Sequence, residues 1–216
     1  MEQNDRAVRI CKRSFNYLLS LVLGLHIVSN DWLEQSIREG EWLETETYEI
    51  FSDDQVYLQW CSAEEEAHRL GICRRSRIFY RSNVLLSPLF GYSFHLLLSE
   101  NNDDDHFFGH LTSDQMKTLI NVWGGEIIHK LDVFFKYCST RQDKCVILVQ
   151  SHGPYTMSCN PFTFVAKESR FSRENGLHLE ERSNAQVVDF TWISDSVASC
   201  KLLPIDQYLY GHFVAY

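Results

Sequence analysis

The sequence predicts an α/β protein made of tandem repeats, each a small four-stranded parallel sheet flanked by helices, with the first repeat N-terminally truncated. Three observations predict it. Two distant stretches match at one constant offset. The second stretch can be read upstream into a complete α/β unit. The first stretch has too few residues before it to do the same.

The matching stretches are Ile27-Val28-Ser29-Asn30-Asp31-Trp32-Leu33-Glu34-Gln35-Ser36-Ile37 and Val187-Val188-Asp189-Phe190-Thr191-Trp192-Ile193-Ser194-Asp195-Ser196-Val197. The offset is 160 (192 − 32), and six of the eleven positions agree by type: 27/187, 28/188, 32/192, 33/193, 36/196 and 37/197. A tyrosine, Tyr48 or Tyr208, stands sixteen residues after each tryptophan. The β-branched pair reads as a buried strand. Trp, Leu or Ile, Ser, and Ile or Val then fall at i, i+1, i+4 and i+5 on one helix face. Trp32, Ser36, Trp192 and Ser196 are its signature, the small serine letting the helix approach its neighbour.

Upstream of Trp192 each element has a local reason. Residues 88–99 (PLFGYSFHLLLS) read as a first strand, with Gly91 permitting close backbone approach. An acidic loop follows at 100–105. Thr112-Ser113-Asp114-Gln115 fits a capping box. Met116, Leu119, Ile120 and Trp123 then recur at helical spacing. Gly124 and Gly125 end that helix, the first suiting a left-handed C-cap. Glu126 to His129 begins a second strand. Residues 144–150 (KCVILVQ) make a third, almost wholly apolar as strands buried on both faces are. A short helix over 175–183, a fourth strand at 186–189 and a helix over 191–200 complete the order β-α-β-β-α-β-α. Residues 151–172 form an irregular insertion.

Before Trp32 stands a helix over 14–22, carried by Phe15, Leu18, Leu19 and Val22, with Gly24 as its cap. The first repeat therefore holds its last two helices and last strand only, and nothing before Arg13 could build the rest. The expected division is 1–50 for the partial first repeat, 51–87 for a partly helical linker and 88–216 for the complete second repeat. Within the linker, residues 53–69 read as helical and Arg74, Arg75, Arg77 and Arg81 form the one dense basic run.

Composition narrows the function. The chain has 216 residues, 44% of them hydrophobic and 23% charged, as a folded domain requires, and a net charge of −9 that repels nucleic acid. A basic peptide or positively charged partner surface would be favoured. Seven cysteines without a CxxC pair read as free thiols in a reducing compartment, with no metal site. The start is charged and lacks a signal-peptide core, and the longest apolar run, 18–25, is far short of a membrane span. No HExxH, P-loop or GxGxxG occurs, and Gly91-Tyr92-Ser93-Phe94-His95 lacks the second glycine of a nucleophile elbow. His129, His152 and His178 read as ordinary surface or core histidines. No enzyme and no cofactor are expected.

The WxxxS helix after an apolar pair, and the Gly-Gly turn after an amphipathic helix, resemble the BRCT repeat. Two such units across a linker resemble the tandem BRCT modules of DNA-damage proteins. Four stretches look like members of that family, the breast-cancer-susceptibility protein and its RING-domain partner above all: 13–19 (RSFNYLL); Arg74-Arg75-Ser76-Arg77 with Leu89-Phe90 and Phe94; Glu174-Asn175-Gly176-Leu177-His178 with Asp195-Ser196-Val197-Ala198; and Leu202-Leu203-Pro204-Ile205-Asp206. The resemblance implies a nuclear protein-interaction scaffold, associated with DNA repair or a ubiquitin ligase. It implies binding to a phosphoserine-containing protein or a folded nuclear protein, chromatin included, with no membrane and no direct DNA contact. In that family a phosphoserine is held by a loop hydroxyl, a backbone N–H and a lysine, and an arginine contacts the peptide main chain. Carried over, Arg13 matches the arginine, beside Ser14, and Asp195 an acid that could hold it. Asn16 stands where the lysine belongs. Lys12 lies four residues back, about one helical turn. Leu18 suits an apolar wall, and Arg182 falls near a position usually apolar. The alternative is a structural BRCT pair whose phosphate pocket is lost.

Overall fold

The fold was taken from a computed structural model, which describes residues 8–56, 71–82, 87–97, 107–108, 111–140, 144–149 and 185–212. The chain divides into two compact units: residues 1–86 with 196–202, and residues 87–195 with 203–216.

In the first unit, a two-residue strand β1 (Ile10–Cys11) leads into helix α1 (Phe15–Val22). Ser14 caps α1, its Oγ accepting the Tyr17 N–H at 3.3 Å. The buried stripe is Tyr17, Leu18, Leu21 and Val22, not the predicted Phe15, Leu18, Leu19 and Val22. The helix is rotated because Tyr17 has work inside: its hydroxyl oxygen accepts the Asp53 N–H at 3.1 Å. Helix α2 (Asn30–Glu39) carries the first tryptophan signature. Strand β2 (Ser52–Asp53) pairs in parallel with β1, so a strand does stand before Arg13, where none was expected. Helix α3 (Ile72–Ser82) packs on α1, and Ser76 donates a hydrogen bond to the Leu21 carbonyl. Residues 51–87, read as a linker, thus supply β2 and α3 to this unit. Of the helix expected over 53–69, residues 53–56 are described: Asp53 ends β2, and 54–56 are helical.

The second unit is built on strand β3 (Tyr92–Leu96), buried throughout. A short antiparallel pair, β4 (Phe107–Phe108) and β5 (Leu111–Thr112), precedes helix α4 (Ser113–Val122). The capping box forms: Thr112 Oγ1 accepts the Gln115 N–H and Gln115 Oε1 accepts the Thr112 N–H. Met116, Leu119, Ile120 and Trp123 are buried as their spacing predicts. Gly124 takes the left-handed conformation (φ 90°). Gly125 is required for space, since a Cβ there would stand 2.7 Å from the Phe94 ring.

Strand β6 (Glu126–Ile127), helix α5 (Leu131–Thr140), strand β7 (Lys144–Val149), strand β8 (Gln186–Asp189), helix α6 (Thr191–Ala198) and strand β9 (Leu209–His212) follow. The main sheet has five strands in the order β6-β3-β7-β8-β9, parallel except for the β8–β9 pair. It therefore holds the four parallel strands expected and one antiparallel edge strand that was not. Helix α5 was also missed, although Leu131, Phe134, Phe135 and Cys138 recur at helical spacing and pack on Ile147, Val149 and Val187. The free-thiol reading needs correction: Cys138 and Cys145 form a disulfide between α5 and β7, while Cys11, Cys73 and Cys200 are free. The acidic loop at 100–105, the insertion at 151–172, the helix at 175–183 and Arg182 lie outside the described residues.

Candidate functional site

The N-terminal end of α1 gathers four of the residues singled out from the sequence. Lys12, Ser14 and Asn16 are exposed there. Arg13 turns inward, and its guanidinium meets Asp53 through Nε–Oδ2 at 3.3 Å and Nη2–Oδ1 at 3.2 Å. The side chains of this pair are 3% and 0% exposed. Asp53 has a second role, because its Oδ1 accepts the N–H groups of Gln55 and Val56 and so caps the helical turn that begins after it. One carboxylate thus fixes Arg13, β2 and that turn together. Sequence reading missed Asp53; an acid just before a helical stretch was the available signal.

Leu18 is fully buried in the core of the unit. Asp195, in the second unit, accepts the Tyr208 hydroxyl at 3.0 Å. At the start of α1, backbone N–H groups, the Asn16 amide and the Lys12 ammonium give a surface suited to an anion. Lys12 supplies the full positive charge that Asn16 does not.

Burial governs the thiols and phenol behind this site. Burial, followed by the charge of Asp53, pushes the Cys11 thiol up to about 11. Burial likewise raises Cys200 to about 11, and holds Cys73 and the Tyr17 hydroxyl well above their ordinary values. These groups are neutral at physiological pH, so none of the three thiols is poised as a nucleophile. Among the described residues no cluster of His, Cys, Asp or Glu could hold a metal ion, and no helix is long and apolar enough to cross a membrane.

Of the basic run on α3, Arg74 and Arg81 are exposed, Arg75 is half-buried and Arg77 is buried. Arg77 is buried against Glu49 with bonds of 3.0 and 3.1 Å, and Arg81 meets the His26 ring at 3.1 Å. His26 is held below its ordinary pKa by burial first and then by Arg77 and Arg81.

The tryptophan signatures share far more than six residue types. Trp32 donates its indole N–H to the Leu43 carbonyl at 2.7 Å, and Trp192 to Leu203 at 2.9 Å. Tyr48 donates to Gln35 and Tyr208 to Asp195. The Glu41 N–H reaches the Ser36 carbonyl, and the Lys201 N–H reaches that of Ser196. Val28 bridges Glu49 antiparallel, as Val188 pairs with Leu209. Every partner repeats at the offset of 160. Ser36 also does more than save space, because its hydroxyl accepts the Leu43 N–H at 3.2 Å.

No protein-family model matches the chain, and no curated protein matches it by sequence. Solved structures resemble it distantly. The structure of the C-terminal BRCT domain of human XRCC1 covers 60% of this chain and 98% of its own, at 14% identity and a TM-score of 0.31. A crystal structure of Rtt107p (residues 820–1070) covers 99% of this chain and 79% of its own, at 11% identity and a TM-score of 0.46. A complex of Rtt107p with a phosphorylated histone covers 99% and 80%, at 13% identity and the same TM-score of 0.46.

Proposed function

We propose that the chain is a non-catalytic protein-interaction scaffold built from a tandem of BRCT-type units, serving the DNA-damage response in the nucleus. The observation that carries this reading is the repeated tryptophan framework, in which indole, tyrosine and backbone hydrogen bonds recur at one offset. A framework repeated in this way holds two surfaces in place and performs no chemistry, which fits a scaffold. The sequence stretches quoted above favour the tandem BRCT class; they do not select a member of it.

The partner we propose is a phosphoserine-containing nuclear protein, its phosphate resting on the start of α1 beside Lys12, Ser14 and Asn16. The second reading, a scaffold that binds a folded partner without phosphate, is favoured by one feature. Arg13 is already matched by Asp53, which leaves Lys12 as the cation of the site. Binding to a degenerate phosphoserine peptide library, run beside its unphosphorylated twin, separates the two. Phosphate-dependent binding that Lys12→Ala weakens by about tenfold, the scale of one charge-assisted hydrogen bond, supports the first reading. Equal binding to both libraries supports the second. No binding to either library, with none to folded nuclear partners, overturns the scaffold reading.

A further inference from the structure

Helix α2 leaves uncovered the residues that its counterpart buries. Ile193 and Val197 are 0% and 1% exposed, whereas the equivalent Leu33 and Ile37 are 42% and 71% exposed. At about 100° per residue, Trp32, Ser36, Leu33 and Ile37 occupy one continuous sector of α2, with Glu34 on one flank and Glu39 on the other. Beyond the helix, Trp42 is 74% exposed and stacks on Trp32 with ring centroids 5.2 Å apart. Two stacked indoles with one face open to water, next to two exposed aliphatic side chains, form the kind of patch that marks an interaction surface.

The rim of the patch identifies what it would accept. Residues 30–46 carry six acids (Asp31, Glu34, Glu39, Glu41, Glu44 and Glu46) against one base, Arg38. All six acids are exposed. Among the described residues, Asp31 alone of the six is engaged by an arginine, Arg9 at 3.7 Å. The matching residues 190–206 carry two acids, Asp195 and Asp206, and one base, Lys201. The framework hydrogen bonds are the same in both copies, so the repeat does not need the acids in order to fold. Five of the six have no acidic counterpart in the copy whose apolar face is covered; only Glu46 does, matching Asp206.

We infer that the acid-rimmed apolar face of α2 and Trp42 is a docking surface for a basic amphipathic segment of a partner protein. Apolar side chains of that segment cover Leu33, Ile37 and the indole pair, while its Lys or Arg side chains face Glu34, Glu39, Glu41 and Glu44. Docking on this surface does not depend on phosphate.

The probe is a synthetic twelve-residue peptide alternating Lys with Leu and Phe, titrated into the full chain and followed by tryptophan fluorescence and calorimetry. The expected result is binding that weakens as salt is raised from about 50 to about 300 mM, as screened charge pairs do. Trp42→Ala and Ile37→Ser should each weaken it by about tenfold, the scale of one well-packed apolar contact. Glu39→Lys with Glu41→Lys should weaken it and flatten its salt dependence. Asp132→Lys, an exposed acid in the second unit, should leave it unchanged. Equal binding of a peptide with Glu in place of Lys would overturn the proposal. So would equal loss from Asp132→Lys, and so would concentration-dependent dimerisation abolished by Ile37→Ser without peptide binding, which would make a second copy the occupant.

Discussion

The two tryptophan helices are held by the same local bonds and sit in different surroundings. In the second unit Trp192 is enclosed, its ring 5.7 Å from Tyr92 and 6.3 Å from Phe94 on β3, and the sheet behind it is apolar. In the first unit Trp32 has another indole, Trp42, in place of a strand, and α2 buries only Ser36. The first unit also holds two buried ion pairs, Arg13–Asp53 and Arg77–Glu49. The difference teaches that what the two copies share is their internal wiring. What covers the wired helix is a separate property, and it differs between copies. Both units have an apolar core, but the first also buries charges whose loss from one side leaves the partner stranded.

The largest effects should expose that contrast. Trp192→Ala removes a fully buried indole and should destabilise the chain by about 3–5 kcal/mol. Trp32→Ala, losing a half-exposed ring and one hydrogen bond, should cost about 1–2 kcal/mol. Urea denaturation of both variants checks the ratio, and equal losses would break the comparison. Next, Arg13→Met strands Asp53 at 0% side-chain exposure and should cost about 3 kcal/mol. The double variant Arg13→Met with Asp53→Asn should recover part of that loss, as a thermal melt would show.

A pH scan sharpens the account of the second unit. His95 is buried beside Phe134 and its Nδ1 bonds the Ile128 carbonyl at 2.9 Å. Burial, the leading cause, holds its pKa below the ordinary value of about 6.5. The unfolded chain therefore takes up a proton before the folded one does. Stability is intact above about pH 6.5 and falls as pH drops below it. His95→Gln should flatten that fall in denaturation curves recorded from about pH 7 to about pH 5.

The smallest effect concerns the helix ends. Gly40 closes α2 at φ 74°, and at the equivalent position Cys200 holds φ 52°. A Cβ at Gly40 would meet nothing within 4 Å, so Gly40→Ala should cost only the left-handed conformation, about 1 kcal/mol. A loss of several kcal/mol in calorimetry would mean that the end of α2 is more crowded than this fold allows.

Much of the second unit was legible in the sequence because its signals are local. The capping box at Thr112, the stripe from Met116 to Trp123, the apolar run at 144–149 and the repeat at Trp192 each depend on neighbours in the chain. Strand β9 was not legible, since Leu209 to His212 become a strand only through β8, a pairing over some twenty residues. Helix α5 had the right spacing, but its run of aromatic and β-branched residues reads equally as strand. At the candidate site the sequence located Lys12, Arg13, Ser14 and Asn16. It could not show that Arg13 points inward, because Asp53 lies forty residues away.

The most direct test of the contrast is the solvent accessibility of the indoles, read by NMR as the broadening of assigned tryptophan side-chain resonances by a soluble paramagnetic agent. The account predicts strong broadening for Trp42, intermediate for Trp32 and almost none for Trp192, in order of their exposure. Protection of Trp32 and Trp42 equal to that of Trp192 would contradict it, because the face of α2 would then be covered in the isolated chain and no docking surface would be open.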